Sequence, residues 1–301
     1  MSLSSAVEKL KQDRDVRLLL SEPLSGHTGF MTGGCADAMA LPATRDAFVR
    51  TVGALRGEGA DFFILGKGKN VLAADEGYRG CVVKTENALT GLRFDGDEVY
   101  CEAGVPLAVL CAACRDRGLT GLEFAYGIPG TLGGAVFMNA GAYGGEMKDV
   151  VRYVDALGAD GRVRRVQGDD LAFCYRGSFA QRTGDVILGA GIALHKGDIP
   201  SISARMAELL QRRKDKQPLE LPSCGSTFKR PQGAYASQLI EDCGLKGRAV
   251  GGACVSEKHS GFIVCRGSAT TADILTLIDI VRREVEEKTG YRLECEIRFL
   301  K

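Results

Sequence analysis

The stretch Gly121–Gly145, GLEFAYGIPGTLGGAVFMNAGAYGG, constrains the fold more than any other part of the chain. It places eight of the 40 glycines within 25 residues. Glycine loses more backbone freedom on folding than any other residue, so such a cluster needs a structural or ligand-binding reason. Ile128, Leu132, Val136, Phe137 and Met138 sit between the glycines, and Glu123 is the sole charge. A disordered linker would be more polar and would lack these apolar anchors. Two readings remain. Gly130, Thr131, Gly133 and Gly134 present backbone N–H groups to phosphates at a helix N-terminus, or two backbones simply pack closely there. No Gly-Lys-Ser/Thr follows, so the stretch is not a P-loop.

Other segments have local signatures of their own. Residues 4–20 read as an amphipathic helix, and residues 45–57 as a second one ending on glycine. Asp61–Leu72 reads as a buried strand, a tight turn through Gly66-Lys67-Gly68-Lys69-Asn70, and a further apolar segment beginning at Val71. No third glycine opens a helix there, which rules out a Rossmann fingerprint. Residues 81–102 alternate short strand-like runs with turns, with a hairpin at Asp95-Gly96-Asp97. A helix is expected over 105–117, a hairpin at Gly158–Gly161, and a basic helix over 201–216. Strands followed by helices, without regular βαβ alternation, indicate an α+β fold. Thr270 and Asp273 form a capping-box start for a terminal helix with Ile274, Leu277, Ile278, Val281 and Val285 on one face. The last strand is expected to turn Leu293, Cys295, Ile297 and Phe299 inward and Glu294, Glu296 and Arg298 outward.

Composition removes several classes of function. The formal net charge is +1, which gives no reason to expect a nucleic-acid or membrane partner. The N-terminus has no signal-peptide core, and no apolar run nears the roughly 20 residues that span a bilayer. The 11 cysteines are scattered, consistent with reduced thiols in a cytoplasmic protein. Cys111 and Cys114 fall in a helical apolar pattern with no second pair nearby, so core packing is preferred to a metal site. His27, His195 and His259 show no ligand spacing, and no metal is expected.

Two short motifs carry side-chain chemistry. Arg176, in Phe173-Cys174-Tyr175-Arg176-Gly177-Ser178-Phe179, has a planar fork suited to a carboxylate. Ser226, in Ser223-Cys224-Gly225-Ser226-Thr227-Phe228-Lys229-Arg230-Pro231, is held between prolines with no histidine in the motif, so a Ser–His nucleophile is not indicated.

Tyr126-Gly127-Ile128-Pro129-Gly130-Thr131-Leu132-Gly133-Gly134, followed by Asn139-Ala140-Gly141-Ala142-Tyr143-Gly144, resembles the flavin-binding signature of the UDP-N-acetylenolpyruvoylglucosamine reductase family. The block Leu24–Gly34, the Gly66–Val71 turn, the Tyr175–Phe179 motif, the Gly225–Pro231 motif, Gly251–His259 and the closing Leu293-Glu294-Cys295-Glu296 also match that family in order. Met31 stands where a basic residue is usual, Lys69 where Ser is, Arg230 where Asn is, and Gly261 and Cys265 where Asn is. The short link from Phe179 to Ile187 resembles the branch lacking a substrate-covering tyrosine loop.

The resemblance implies a two-part FAD-binding domain of the vanillyl-alcohol-oxidase/PCMH type, residues 1–84 and 85–217. A smaller α+β substrate-binding domain follows over 218–295, and the terminal strand 296–301 returns to the first part. It implies FAD as cofactor, held by Gly66, Lys67, Gly68, Lys69, Asn70, Val71, Tyr126, Gly130, Thr131, Gly133, Gly134, Asn139, Ala140 and Gly141. NADPH is the implied co-substrate, and the product belongs to peptidoglycan precursor synthesis. Arg176 stabilises the substrate enolate, Ser226 donates a proton, and Glu296 is the third catalytic residue. Lys229, Gln238, Glu241 and His259 contact the sugar nucleotide, and a monomer is expected. An FAD-dependent alcohol oxidase and a catalytically inactive flavin module are the competing readings.

Overall fold

The computed structural model describes residues 2–301 and combines helices with largely antiparallel sheets, the α+β class expected. The chain divides into two units. The first gathers the chain up to Leu19 with Ala38–Lys67 and Gly80–Arg213, and the second comprises Leu20–Asp37, Gly68–Arg79 and Lys214–Lys301.

In the first unit, the helix Arg45–Gly57 begins where Thr44 Oγ1 accepts the Ala47 N–H at 3.1 Å. That bond satisfies one of the four N–H groups a helix start leaves open. Phe48, Val52 and Leu55 bury the inner face of this helix in the unit's core. A four-stranded sheet runs in the order Val16–Pro23, Cys35–Pro42, Tyr78–Lys84, Phe62–Leu65, the last pair being parallel. A five-stranded antiparallel sheet runs in the order Val163–Gln167, Val151–Leu157, Val186–Ala193, Glu98–Glu102, Leu92–Asp95. Gly96, at φ 57°, makes the hairpin turn between its last two strands. The buried strand Val186–Ala193 lies at the centre of that sheet.

The helix expected over 4–20 covers only Leu3–Lys11, and Val16–Pro23 is a strand. The Asp15 N–H turns back onto Asp13 Oδ1 at 3.0 Å, an Asx turn that offers the backbone an alternative to helix. Beyond it, pairing with Cys35–Pro42 outweighs the helical spacing of the leucines. Cys111 and Cys114 are buried core residues on the helix Leu107–Arg115, and burial raises both thiol pKa values.

The second unit has its own core, centred on the helix Thr271–Thr289. Both bonds of the Thr270/Asp273 capping box form, and Gly290, at φ 75°, ends the helix. Ile274, Leu277, Ile278, Val281 and Val285 are all buried, each contributing about 1.5–3 kcal/mol relative to exposure. The unit's three-stranded sheet is Ala249–Val250, Ala253–Val255 and Ile263–Cys265. The last strand, Arg298–Leu300, pairs in parallel with Val71–Ala73. The expected alternation holds for buried Leu293 and Ile297, but Phe299 is 43% exposed and Leu300 is buried instead. The phase changes where the chain stops pairing with residues 227–229 and joins Val71–Ala73. Among the described residues, no helix is long and apolar enough to cross a membrane.

Candidate functional site

In the first unit, the glycine-rich segment folds as a short helix, Leu132–Phe137, with Thr131 as its N-cap. The turn after strand Phe62–Leu65 meets that N-cap. A Cβ on Gly66 would lie 2.5 Å from Thr131 Oγ1, so only glycine allows this approach. Lys84 Nζ donates to the Gly66 carbonyl at 2.7 Å and pairs with Glu86, which fixes the turn.

The glycines of the segment divide into two kinds. The Leu132 N–H is spent on the Val105 carbonyl and the Gly133 N–H on the Ala103 carbonyl, both at 2.9 Å. A Cβ on Gly133 would come within 2.8 Å of Ala103 Cβ, so Gly133 serves close packing. Gly130 and Gly134 are different. A Cβ on Gly130 would meet nothing within 4 Å, and one on Gly134 only Thr131 Oγ1 at 3.9 Å. Their open faces, next to a helix N-terminus, form the cradle an anionic or planar group requires. FAD fits this cradle, and a side chain at either position would fill it.

Asn139 takes a left-handed backbone at φ 42° and is fully buried. Its Nδ2 donates to Glu146 Oε2 at 2.9 Å and to the Cys174 carbonyl at 3.0 Å, while its Oδ1 accepts the Lys148 N–H at 2.9 Å. The side chain is thus fully used within the protein. The Ala140 N–H bonds to the Ala135 carbonyl, and Gly141 pairs with Glu146 across a short hairpin. Tyr126 ends a short 3₁₀ turn and packs partly buried on the core.

Arg176 lies at the tip of a two-residue turn closed by reciprocal backbone bonds between Cys174 and Gly177, at 3.0 and 3.1 Å. Its backbone is left-handed, φ 57°. That conformation costs a non-glycine residue roughly 1–2 kcal/mol and persists where the surroundings impose it. The guanidinium lies 5.0 Å from the Tyr175 ring centroid.

The sequence did not single out Arg213. Its side chain is buried against Gly127, its Nε has no hydrogen-bond partner among the described residues, and burial lowers its pKa while a bond to Tyr143 raises it. The only sequence signal for it was the basic run of residues 212–216.

In the second unit, Gly68 has φ 62°, and a Cβ there would collide with the His27 carbonyl. The His27–Gly29 block therefore packs on this turn, and the Gly29 N–H donates to the Gly68 carbonyl at 2.9 Å. Asn70 Nδ2 donates to the Glu296 carbonyl at 3.1 Å. Val71 opens the strand that receives Arg298. Lys67 belongs to the first unit; Lys69 follows Gly68 in the second.

Ser226 and Glu296 lie on paired extended segments, in which Thr227 stands opposite Glu296. The Glu296 N–H donates to the Thr227 carbonyl, the Lys229 N–H donates to the Glu294 carbonyl, and Phe228 faces Cys295. On its other side Ser226 bridges Phe262, and buried Thr227 accepts the Ile263 N–H through Oγ1. Ser226 thus sits in a segment with a partner along each edge.

The four residues expected to bind substrate also lie in this unit. Lys229 Nζ pairs with Glu294 Oε2 at 3.2 Å, and Gln238 and Glu241 share the helix Ala236–Asp242. Glu241 pairs with Lys246 at 2.6 Å. His259 Nδ1 accepts the Gly261 N–H at 3.1 Å, and its ring meets Phe262 edge-on at 4.8 Å. Burial lowers the His259 pKa, so its ring is neutral near pH 7.

Comparison with known proteins matches two stretches of the chain to family models. Residues 36–167 match the family model described as FAD binding domain, and residues 217–300 match UDP-N-acetylenolpyruvoylglucosamine reductase, C-terminal domain. A reductase of that name from Caldanaerobacter subterraneus subsp. tengcongensis is 48% identical over 295 residues, covering 98% of this chain and 97% of the relative. One from Syntrophomonas wolfei subsp. wolfei is 45% identical, covering 94% and 95%. The crystal structure of UDP-N-acetylenolpyruvylglucosamine reductase (MurB) from Thermus caldophilus superposes with a TM-score of 0.80 at 34% identity, covering 95% of this chain and 99% of that one. With a flavin-domain match over 36–167, the reductase's own C-terminal domain over 217–300 and 48% identity along 98% of the chain, this protein belongs to the UDP-N-acetylenolpyruvoylglucosamine reductase family.

Proposed function

We propose that this chain is an NADPH-dependent flavoenzyme that reduces the enolpyruvyl group of UDP-N-acetylenolpyruvoylglucosamine to give UDP-N-acetylmuramate, working as a cytoplasmic monomer. The reductase C-terminal domain match carries this reading, because it covers the ladder that bears Ser226 and Glu296. FAD, when bound, supplies the hydride relay from NADPH to the enolpyruvyl methylene carbon. Gly66, Lys67, Thr131 and the open faces of Gly130 and Gly134 hold it, with Gly68, Lys69 and Asn70 shaping the turn that follows. Arg176 stabilises negative charge on the substrate carboxylate as the enolate develops, and Glu296 is the third catalytic residue. Ser226 hands its hydroxyl proton to the adjacent carbon. Lys229, Gln238, Glu241 and His259 bind the sugar nucleotide.

The test is an anaerobic titration. NADPH should bleach the bound flavin, and the enolpyruvyl sugar nucleotide should restore its colour. An alcohol oxidase would instead be bleached by an alcohol and stay bleached with the nucleotide, and an inactive module would do neither.

A further inference from the structure

Four hydrogen bonds hold the turn that carries Arg176 against the C-terminal end of the glycine-rich helix. Asn139 Nδ2 donates to the Cys174 carbonyl at 3.0 Å. Ser178 Oγ donates to the Phe137 carbonyl at 3.0 Å. Gln181 Nε2 bridges two carbonyls, Phe137 and Arg176, each at 3.0 Å. Phe137 is the last residue of the helix Leu132–Phe137, and the carbonyls of a helix's final turn have no partner within the helix. Ser178 and Gln181 therefore satisfy a helix end and fix the Arg176 turn with the same atoms. Gly177 completes the arrangement, since a Cβ there would lie 2.7 Å from Cys174 Sγ.

We infer that Asn139, Ser178 and Gln181 are positioning residues that hold the left-handed turn of Arg176 in register with the glycine-rich helix. This rests on the proposed role of Arg176. The turn carries strain at φ 57°, and Asn139, at φ 42°, carries its own. Without the latch, the Arg176 backbone relaxes to negative φ and the guanidinium moves away from the charge it must meet. An interaction made chiefly in the transition state is lost when its group is displaced by about 1 Å, at a cost of up to about a hundredfold in rate. Gln181 is an exposed side chain on a four-residue helix, Ala180–Thr183, so nothing in the sequence marks it for this task.

The test uses the FAD-loaded enzyme, with its two half-reactions followed separately by stopped flow. Gln181→Met keeps the bulk and neutral charge but removes both bridging bonds. It should retain flavin, melt within a few degrees of wild type and be reduced by NADPH at a near-normal rate, while reoxidation by the enolpyruvyl nucleotide slows about tenfold. Ser178→Ala, which removes the Oγ bond to the Phe137 carbonyl, should behave the same way. In an Arg176→Lys background, Gln181→Met should cost less than about twofold more, because coupled residues do not add. Wild-type reoxidation in Gln181→Met, equal slowing of both half-reactions, or full additivity with Arg176→Lys would each overturn the latch. If Arg176→Lys itself reoxidises normally, the role of Arg176 fails and the latch falls with it; normal latch variants beside a slow Arg176→Lys refute the latch alone.

Discussion

The glycine-rich helix of the first unit and the Ser226–Glu296 ladder of the second organise chemistry in opposite ways. Around the helix, the groups offered to a ligand are backbone, exposed by the absence of side chains at Gly130 and Gly134. The strain there sits in left-handed residues such as Asn139 and Arg176, which meet the later side chains Glu146 and Gln181 respectively. In the ladder the reacting groups are side chains on an extended backbone, paired with residues 294–296 on one edge and 262–263 on the other. A cradle of backbone fails when something is added to it. A ladder of side chains fails when something is taken away.

Removing the Ser226 hydroxyl should produce the largest effect. Ser226→Ala should bind FAD and accept reduction by NADPH normally, while reoxidation by substrate falls by about two to four orders of magnitude, the range for losing a positioned general acid. Ser226→Cys should recover part of the rate. Stopped-flow traces beside a thermal melt decide the matter: a destabilised Ser226→Ala with normal reoxidation would reduce Ser226 to a turn residue.

Arg176→Lys comes next. Lysine keeps the charge but loses the planar fork, and reoxidation should slow about a hundredfold with little change in NADPH reduction. Equal loss in both half-reactions would assign Arg176 to structure.

A pair of glycine substitutions sharpens the distinction within the cradle itself. Gly133→Val forces side-chain atoms against Ala103 and should cost about 1–3 kcal/mol in a urea melt, the range for overpacking. Gly134→Val, whose Cβ would meet only Thr131 Oγ1 at 3.9 Å, should lose flavin, read from the flavin absorbance of the purified protein. If Gly134→Val keeps full flavin and Gly133→Val loses it without a drop in stability, the two roles are reversed.

The smallest effect concerns pH. The folded-state pKa of His259 is lowered, chiefly by burial, from an ordinary value of 6.5. The unfolded chain therefore takes up this proton first as pH falls through 6.5, and stability declines from there until the folded-state pKa is passed. The groups around His259 act in both directions, Lys246 and Lys216 lowering its pKa and Glu241 raising it. His259→Gln should flatten the fall in Tm between neutral and mildly acidic pH, and an unchanged slope would assign that fall to other groups.

Some of this was legible in single stretches of sequence. The Thr270–Asp273 capping box, the apolar face of the terminal helix, the helix over 45–57 and the hairpins at Gly96 and Gly158–Gly161 all formed. Each depends on residues within a turn or two of one another. The helical spacing in residues 4–20 misled because an Asx turn at Asp13 and a neighbouring strand act on the same residues. Phe299 was misplaced because the terminal strand changes partners partway along.

Residue order alone pointed to a glycine-rich helix start, an arginine flanked by aromatics and a serine held between prolines, since glycine content, capping and side-chain chemistry are local properties. Tertiary structure decided which glycines face outward and which pack, and that Asn139 spends its amide inside the protein. It also decided that Gln181, 44 residues from Phe137, closes the end of the glycine-rich helix. These assignments depend on which hydrogen-bond partner or neighbouring atom arrives from elsewhere in the chain. Sequence spacing does not encode that arrival, because it is settled only when the sheets and helices pack.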